Sequence, residues 1–268
     1  MIGIFFVLML RDPRPIGIFD SGVGGITIWK EITSLLPSEN TVYLADSANA
    51  PYGVKPQDEI KEISQNNAQK LVGLGAKIIV VACNTATTNA IDHLRQNFQV
   101  PIIGIEPATK PAAISSKTGV IGILATKGTL ASELFLNTSQ KYKGSTTIIE
   151  RIGSGLVPII ESGDLEAARP LLVEYLQPMI EQGADNIVLG CSHYPFLIPI
   201  IKEIVPAEVN IIDSGYAVAR HTKNTLESLE IASNAEQGQH QFLTNANETI
   251  LNAFLKKVQA ESYSIKAF

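Results

Sequence analysis

The chain has 268 residues, of which 45% are hydrophobic and 18% charged, a composition typical of a compact soluble protein with one large or two small domains. Its net charge of −5, without blocks of like charge, argues against nucleic acid as a partner. Its two cysteines are too few for a disulfide-dense secreted scaffold and favour the reducing cytoplasm.

The N-terminal stretch, residues 2–10, is apolar. It is too short to span a bilayer, and it lacks the basic leader and small-residue cleavage site of a signal peptide. Met9 is an alternative start of the chain. No other apolar run reaches membrane length, so we expect a soluble protein that does not interact with membranes.

Residues 16–105 alternate between short β-branched runs and helical stretches. Strands are predicted at 16–19, 41–45, 78–82 and 101–105, and helices at 26–36, 57–74 and 87–98. Strands that alternate with helices favour a parallel sheet with right-handed crossovers.

The pattern restarts after residues 107–111. Strands are predicted at 119–124, 146–150, 186–189 and 209–212, and helices at 129–142, 165–182 and 196–205. A tail adds a helix at 216–231, an edge strand at 241–244 and a last helix at 248–258, and we expect it to pack on the first half. The sequence therefore predicts an α/β fold of two similar Rossmann-like or flavodoxin-like domains, 1–108 plus 215–268 and 109–214, with mainly parallel sheets.

Each of the two cysteines is the last residue of a short sequence motif that occurs twice in the chain. Cys83 follows residues 75–82 and Cys191 follows residues 183–190, and Gly, Ala, Ile, Val and Cys recur in step. Most single cysteines are inert core residues, but these two occupy equivalent strand ends, where open α/β sheets bind ligands. Two thiols on opposite sides of one ligand suit a reaction with two mirror-image proton transfers. A structural disulfide is a weaker alternative, and the CxxC motif of a thiol redox protein is absent.

Several groups near the thiols are candidates for proton transfer. A helix start just beyond a thiol lowers its pKa from about 8.5, and so does an imidazole such as His193. Asp20 opens a glycine-rich turn, residues 20–25. This turn is neither a dinucleotide fingerprint nor a Walker motif, and an anion-binding site and a plain tight turn are equally good interpretations of it. Glu161 is more typical of a solvated helix residue. The thiols and His193 lack zinc-ligand spacing, so we expect no metal.

Small polar residues follow the strand ends and suit a carboxylate ligand. Asn84 and Thr85 follow the first thiol, and Ser192 follows the second. The loop at residues 46–53 is a turn that also brings Tyr52 and the Gly53 amide to a pocket. Residues 126–129 form the equivalent loop of the second half.

Taken together and in order, these motifs resemble the cofactor-independent aspartate/glutamate racemase family, and within it the enzymes that act on glutamate. The resemblance covers residues 16–227. One departure is Ser192, where the family usually has Thr, and this change retains the hydroxyl. The motifs that carry the resemblance are residues 20–25, 51–53, 83–86, 157–158 with Glu161, and 190–195.

The resemblance implies two domains, related by a pseudo-twofold axis, with the active site in the cleft between them. It implies that Cys83 and Cys191 are acid/base thiols, that Asp20 serves Cys83, and that His193 serves Cys191 with Glu161 nearby. No cofactor is implied, the partner is L- or D-glutamate, and the product D-glutamate serves peptidoglycan synthesis. We also expect a homodimer. The substrate-binding residues implied are Ser21, Pro51, Tyr52, Gly53, Asn84, Thr85, Thr126, Thr129 and Ser192.

Two other functions stay open at this point. One is a racemase for aspartate or another small amino acid, although relatives acting on aspartate usually carry an acidic residue in place of His193 and a His in place of Thr87. The other is a non-catalytic α/β protein that binds a small molecule. Proton exchange at Cα separates the enzymes from the binding protein.

Overall fold

The computed structural model describes residues 12–142 and 144–268, so the apolar stretch at 2–10 and the alternative start at Met9 lie outside the described residues. Within them the chain forms two parallel sheets covered by helices, which confirms the predicted α/β class. No helix of the described residues is both long and apolar enough to cross a membrane.

The first sheet has six strands in the order β10-β9-β2-β1-β3-β4. Its strands are β1 (Ile16–Asp20), β2 (Thr41–Ala45), β3 (Ile78–Val81), β4 (Ile102–Gly104), β9 (His240–Thr244) and β10 (Tyr263–Ala267). The central strand β1 is buried along its whole length, as expected for a parallel strand covered on both faces. The helices between these strands are α1 (Ile26–Leu35), α2 (Gln57–Gly73) and α3 (Asn84–Asn97).

The second sheet has four strands in the order β6-β5-β7-β8. They are β5 (Val120–Ala125), β6 (Thr147–Ile152), β7 (Asn186–Gly190) and β8 (Asn210–Ile212). The helices around it are α4 (Thr109–Ser115), α5 (Lys127–Leu130), α6 (Glu133–Gln140), α7 (Leu156–Ser162), α8 (Arg169–Glu181) and α9 (Ile198–Ile204). This order repeats β2-β1-β3-β4 of the first sheet, so β3 and β7, which precede the two cysteines, are equivalent strands. The predicted domain boundaries at 108 and 214 stay a prediction.

The tail completes the first sheet. It comprises α10 (Gly215–Ser228), β9, α11 (Glu248–Lys257) and β10. At the sheet edge that holds the amino ends of β1 and β3, Lys77 forms a buried ion pair with Glu39 at 2.7 Å and donates to the Ile231 carbonyl at 2.8 Å. The expectation that the tail packs on the first half is confirmed.

Several predicted boundaries are wrong. The strand at 240–244 is not an edge strand, because β10 pairs with its outer side. The helix predicted at 87–98 begins at Asn84, and the helix predicted at 129–142 is two helices, the second capped by Ser132. The helices predicted at 165–182 and 196–205 each begin with a 3-10 turn, and α4 and α7 were not predicted.

Candidate active site

Cys83 lies two residues after β3 and caps the start of α3. Its Sγ accepts from the Ala86 N–H at 3.5 Å and donates to Ser21 Oγ at 3.6 Å. Burial raises the pKa of the thiol to about 12, and the charge of Asp20 adds to this while the Ala86 N–H opposes it. The helix start therefore acts in the expected direction, but the pKa of Cys83 is raised overall because desolvation outweighs one N–H donor.

Cys191 follows β7 and faces an imidazole. Its Sγ lies 3.8 Å from His193 Nδ1, and His193 Nε2 lies 2.5 Å from Glu161 Oε1. Burial alone would lower the pKa of His193, but its hydrogen bonds with Cys191 and Glu161 raise it well above the ordinary value. A raised pKa favours the protonated ring, in which both nitrogens donate, so the second thiol has a positive charge beside it that the first lacks.

Glu161 projects from α7 into the contact between the two halves. Its side chain is 17% exposed, so its interpretation as a solvated helix residue is wrong. Besides His193, its Oε1 accepts from the Val23 N–H at 2.8 Å. The glycine-rich turn thus binds an anion, and the anion is a carboxylate of the chain itself.

Two glycines of that turn make this approach possible. A Cβ at Gly22 would lie 1.9 Å from Glu161 Oε1, and a Cβ at Gly24 would lie 2.3 Å from His193 Nδ1. Both distances are far below any van der Waals contact. The glycines therefore let the second half bring its acid/base pair against the first.

Asp20, at the end of β1, also contacts the second half. Its Oδ1 accepts from Ser192 Oγ at 2.8 Å, and its Oδ2 accepts from the Gly22 N–H at 3.0 Å. Burial raises its pKa, while the charge of His193 and the bond from Ser192 oppose the shift. Its influence on Cys83 is electrostatic, through the raised pKa of the thiol.

Both thiols line one small cavity between the sheets. It leaves about 10 Å³, room for about one water molecule. Val157 also lines the cavity, although no separate role is predicted for it from the sequence. The residues that line the cavity are Ser21, Pro51, Tyr52, Gly53, Cys83, Asn84, Thr85, Thr126, Val157, Cys191 and His193.

Asn84 has an unusual environment in this wall. Its side chain is buried, yet neither atom of its amide has a hydrogen-bond partner in the part of the chain that the structure describes. Buried polar groups are nearly always paired, because an unpaired one costs about 1–3 kcal/mol. An amide left open beside a cavity is the arrangement that a polar ligand completes.

Threonine hydroxyls close the cavity from the other side. Thr85 Oγ1 lies 2.8 Å from Thr126 Oγ1, across the boundary between the halves. Thr129 Oγ1 lies 3.3 Å from Thr85 Oγ1 and 3.0 Å from Thr126 Oγ1, and is fully buried behind them. Thr85 and Thr126 thus line the cavity, whereas Thr129 lies behind them and does not line it.

No group of three or more His, Cys, Asp or Glu side chains within residues 12–142 and 144–268 is placed to hold a metal ion. The polar groups around the cavity instead provide hydrogen-bonding side chains along its walls and a thiol from each half.

Comparison with known proteins shows the family to which the chain belongs. Residues 27–222 match the Asp/Glu/hydantoin racemase family. The chain is 42% identical over 254 residues to a glutamate racemase of Ralstonia nicotianae, a match that covers 94% of this chain and 92% of that protein.

Solved structures of glutamate racemases have a fold similar to that of this chain. Glutamate racemase isoform RacE1 of Bacillus anthracis superposes with a TM-score of 0.86 at 27% identity, covering 96% of this chain and 98% of that one. The Escherichia coli glutamate racemase in complex with L-glutamate and the activator UDP-MurNAc-Ala gives a TM-score of 0.82 at 30% identity, covering 95% and 99%. The match to the family spans well over half of the chain, and the chain belongs to the Asp/Glu/hydantoin racemase family.

Proposed function

We propose that the protein is a glutamate racemase that inverts Cα without a cofactor and uses Cys83 and Cys191 as its two proton carriers. The observation that carries the proposal is that two thiols, each at the end of an equivalent strand, line one small buried cavity. The relatives named above are glutamate racemases, which supports glutamate as the substrate.

Inversion requires a base on one side of Cα and an acid on the other. One thiolate takes the Cα proton, so that its S–H bond forms while the electron pair of the broken C–H bond stays on carbon. The opposite thiol then gives its proton to the other face of that carbon and becomes the thiolate. Each turnover therefore exchanges the protonation states of the two sulfurs.

The surroundings of the thiols assign their starting states. His193 Nδ1 lies 3.8 Å from Cys191 Sγ, so the imidazole is placed to take a proton from this sulfur and to return it. Burial and Asp20 keep Cys83 protonated, with a pKa of about 12. We assign Cys191 as the base and Cys83 as the acid for one enantiomer, with the roles reversed for the other.

The remaining groups hold the substrate and its developing charge. No electron sink is used in this mechanism, so hydrogen bonds to the α-carboxylate in a water-poor site stabilise the carbanion. We assign this role to the open amide of Asn84 and the hydroxyls of Ser21, Thr85 and Ser192. Because the cavity holds about one water molecule, the two halves separate to admit glutamate and close again around it.

Three further properties belong to the proposal. D-glutamate made by this enzyme supplies peptidoglycan precursor synthesis, the enzyme works in the cytoplasm, and it forms a homodimer. The resemblance of the motifs to the racemase family supports the first, and the small number of cysteines supports the second. Light scattering of the purified protein tests the homodimer directly.

The decisive experiment is chiral analysis of L-glutamate incubated with purified protein that has been treated to remove pyridoxal phosphate and metal ions. We expect racemisation by the wild type and a loss of at least about a thousandfold in Cys83→Ala and in Cys191→Ala, because each variant lacks an obligatory proton carrier. Ser139→Ala is the matched control, since Ser139 is buried away from the cavity. Near-normal turnover by either folded cysteine variant would refute the two-base mechanism.

The same assay with L-aspartate separates the other candidates. Preference for aspartate would favour the alternative racemase. Binding of glutamate without exchange of its Cα proton in deuterated water would favour the non-catalytic binding protein.

A further inference from the structure

Asp46 is a buried carboxylate that the proposed chemistry does not use. It directly follows β2, and within the described chain it is not among the residues that line the cavity. Its Oδ2 accepts from the Tyr52 hydroxyl and from Asn67 Nδ2 at 3.2 Å. Its Oδ1 accepts from Asn49 Nδ2 at 2.8 Å and from Asn245 Nδ2. The hydroxyl and the three amide nitrogens all act as donors here, so together they satisfy the acceptor capacity of one carboxylate.

The side chains around Asp46 hold one wall of the cavity. Residues 46–54, here called the binding loop, include Tyr52, which lines the cavity and donates its hydroxyl to Asp46. The Asp46 N–H donates to the Asp20 carbonyl at 3.0 Å, which fixes the start of the binding loop beside the first strand end. At its other end, a Cβ at Gly53 would lie 2.7 Å from Thr126 Cβ. A small shift of this loop therefore changes the shape of the cavity.

Asn245 brings the C-terminal tail to the binding loop. It follows β9, next to β2 in the sheet. Its Nδ2 donates to Asp46, and its Oδ1 accepts from the Ala48 N–H at 2.9 Å. Both ends of its amide are thus used on the binding loop, more than 190 residues away in the chain.

We propose that Asp46 is a positioning residue for the substrate wall and that Asn245 makes the C-terminal tail part of that positioning. The inference rests on the proposed glutamate racemase function. Neither residue touches the reacting atoms, so loss of Asn245 weakens binding of glutamate more than it slows proton transfer.

The test compares Asn245→Ala with Asn247→Ala. Asn247 lies in the same loop, but its Oδ1 accepts from the Thr249 N–H and caps α11. For Asn245→Ala we expect KM for glutamate to rise about tenfold in both directions with kcat within about threefold, because a donor to a buried carboxylate is lost. For Asn247→Ala we expect thermal stability to fall and KM to stay unchanged.

A charge swap distinguishes positioning from general stability. Asn245→Asp places two carboxylates in contact and should raise KM more than alanine does. The double variant Asp46→Asn/Asn245→Asp restores a carboxylate–amide pair and should lower KM at least about fivefold relative to Asn245→Asp.

Each result has a defined meaning. The inference is wrong, while the proposed function stands, if Asn245→Ala has the same KM as Asn247→Ala. It is also wrong if the KM of the double variant is no lower than that of Asn245→Asp alone. If the wild type itself does not racemise glutamate in this assay, the proposed function fails and the inference fails with it.

Discussion

At the scale of single residues, the two thiols are equivalent in the chain and unequal in their environment. Cys83 has Ser21 and a backbone N–H beside it, whereas Cys191 has an imidazole held by a carboxylate. The equivalent strands determine where the two sulfurs lie, and different neighbouring side chains determine which groups contact each sulfur. The duplication seen in the sequence therefore predicts the positions of the thiols but not their protonation.

This inequality predicts how Cys83 affects stability at alkaline pH. The pKa of Cys83 is raised to about 12 in the folded protein, so between about pH 9 and 12 the unfolded chain loses a proton that the folded chain keeps. The free energy of unfolding must then fall as pH rises through this window. Urea unfolding across it should show a steeper loss for the wild type than for Cys83→Ala. Equal pH slopes would contradict the raised pKa, since the buried tyrosines are common to both proteins.

At the scale of elements, the regular strands were predictable and the site helices were not. The predicted start of α3 is too late because its first turns are rich in threonine, which has low helix propensity, while the cap by Cys83 is visible only in three dimensions. Helix α7 is short and contains Pro158, and it lies between Gly155 and Gly163 with φ of 80° and 87°. No local pattern brings Glu161 of this helix to His193, so its contact could not be read from the sequence.

The glycine-rich turn gives the prediction that belongs to this scale. Gly24→Ala should lower kcat/KM about a hundredfold, because its Cβ would displace the buried His193 ring by an ångström or more. Gly73→Ala is the matched control, since that Cβ would approach no atom of the described residues within 4 Å apart from its own stretch of helix, and it should leave activity unchanged. Racemisation measured by circular dichroism checks both. Wild-type activity in Gly24→Ala would show that the turn does not need a glycine there.

At the scale of the whole molecule, residues of the candidate site themselves join the two halves. Ser192 donates to Asp20, Val23 donates to Glu161, and Thr85 pairs with Thr126. Separation of the halves breaks all of these bonds together. Closure and assembly of the site are therefore one event in the proposed mechanism.

Asn89 offers a test of closure from outside the cavity. Its Nδ2 on α3 donates to the Gly128 carbonyl of the second half at 3.1 Å and to the Thr85 carbonyl at 2.8 Å. Asn89→Ala should raise KM for glutamate about three- to tenfold, because the closed form loses the hydrogen bond to Gly128, which joins the two halves and which the open form lacks. Asn97→Ala, which removes an exposed amide bonded within α3, is the control. Steady-state kinetics in both directions measures the effect, and equal KM values in the two variants would count against this role.

The unequal thiols have a consequence that equilibrium imposes. L- and D-glutamate are mirror images with the same free energy in water, so under the proposed function the Haldane relation requires kcat/KM to be equal in the two directions. The cation beside Cys191 and its absence beside Cys83 cannot favour one product at equilibrium. They can only change kcat and KM in the same proportion. The enantiomer that matches the resting protonation state therefore either has both a lower KM and a lower kcat than its mirror image, or has both a higher KM and a higher kcat. An asymmetric scaffold thus sets the concentration at which each enantiomer saturates the enzyme, while the composition of the final mixture stays symmetric.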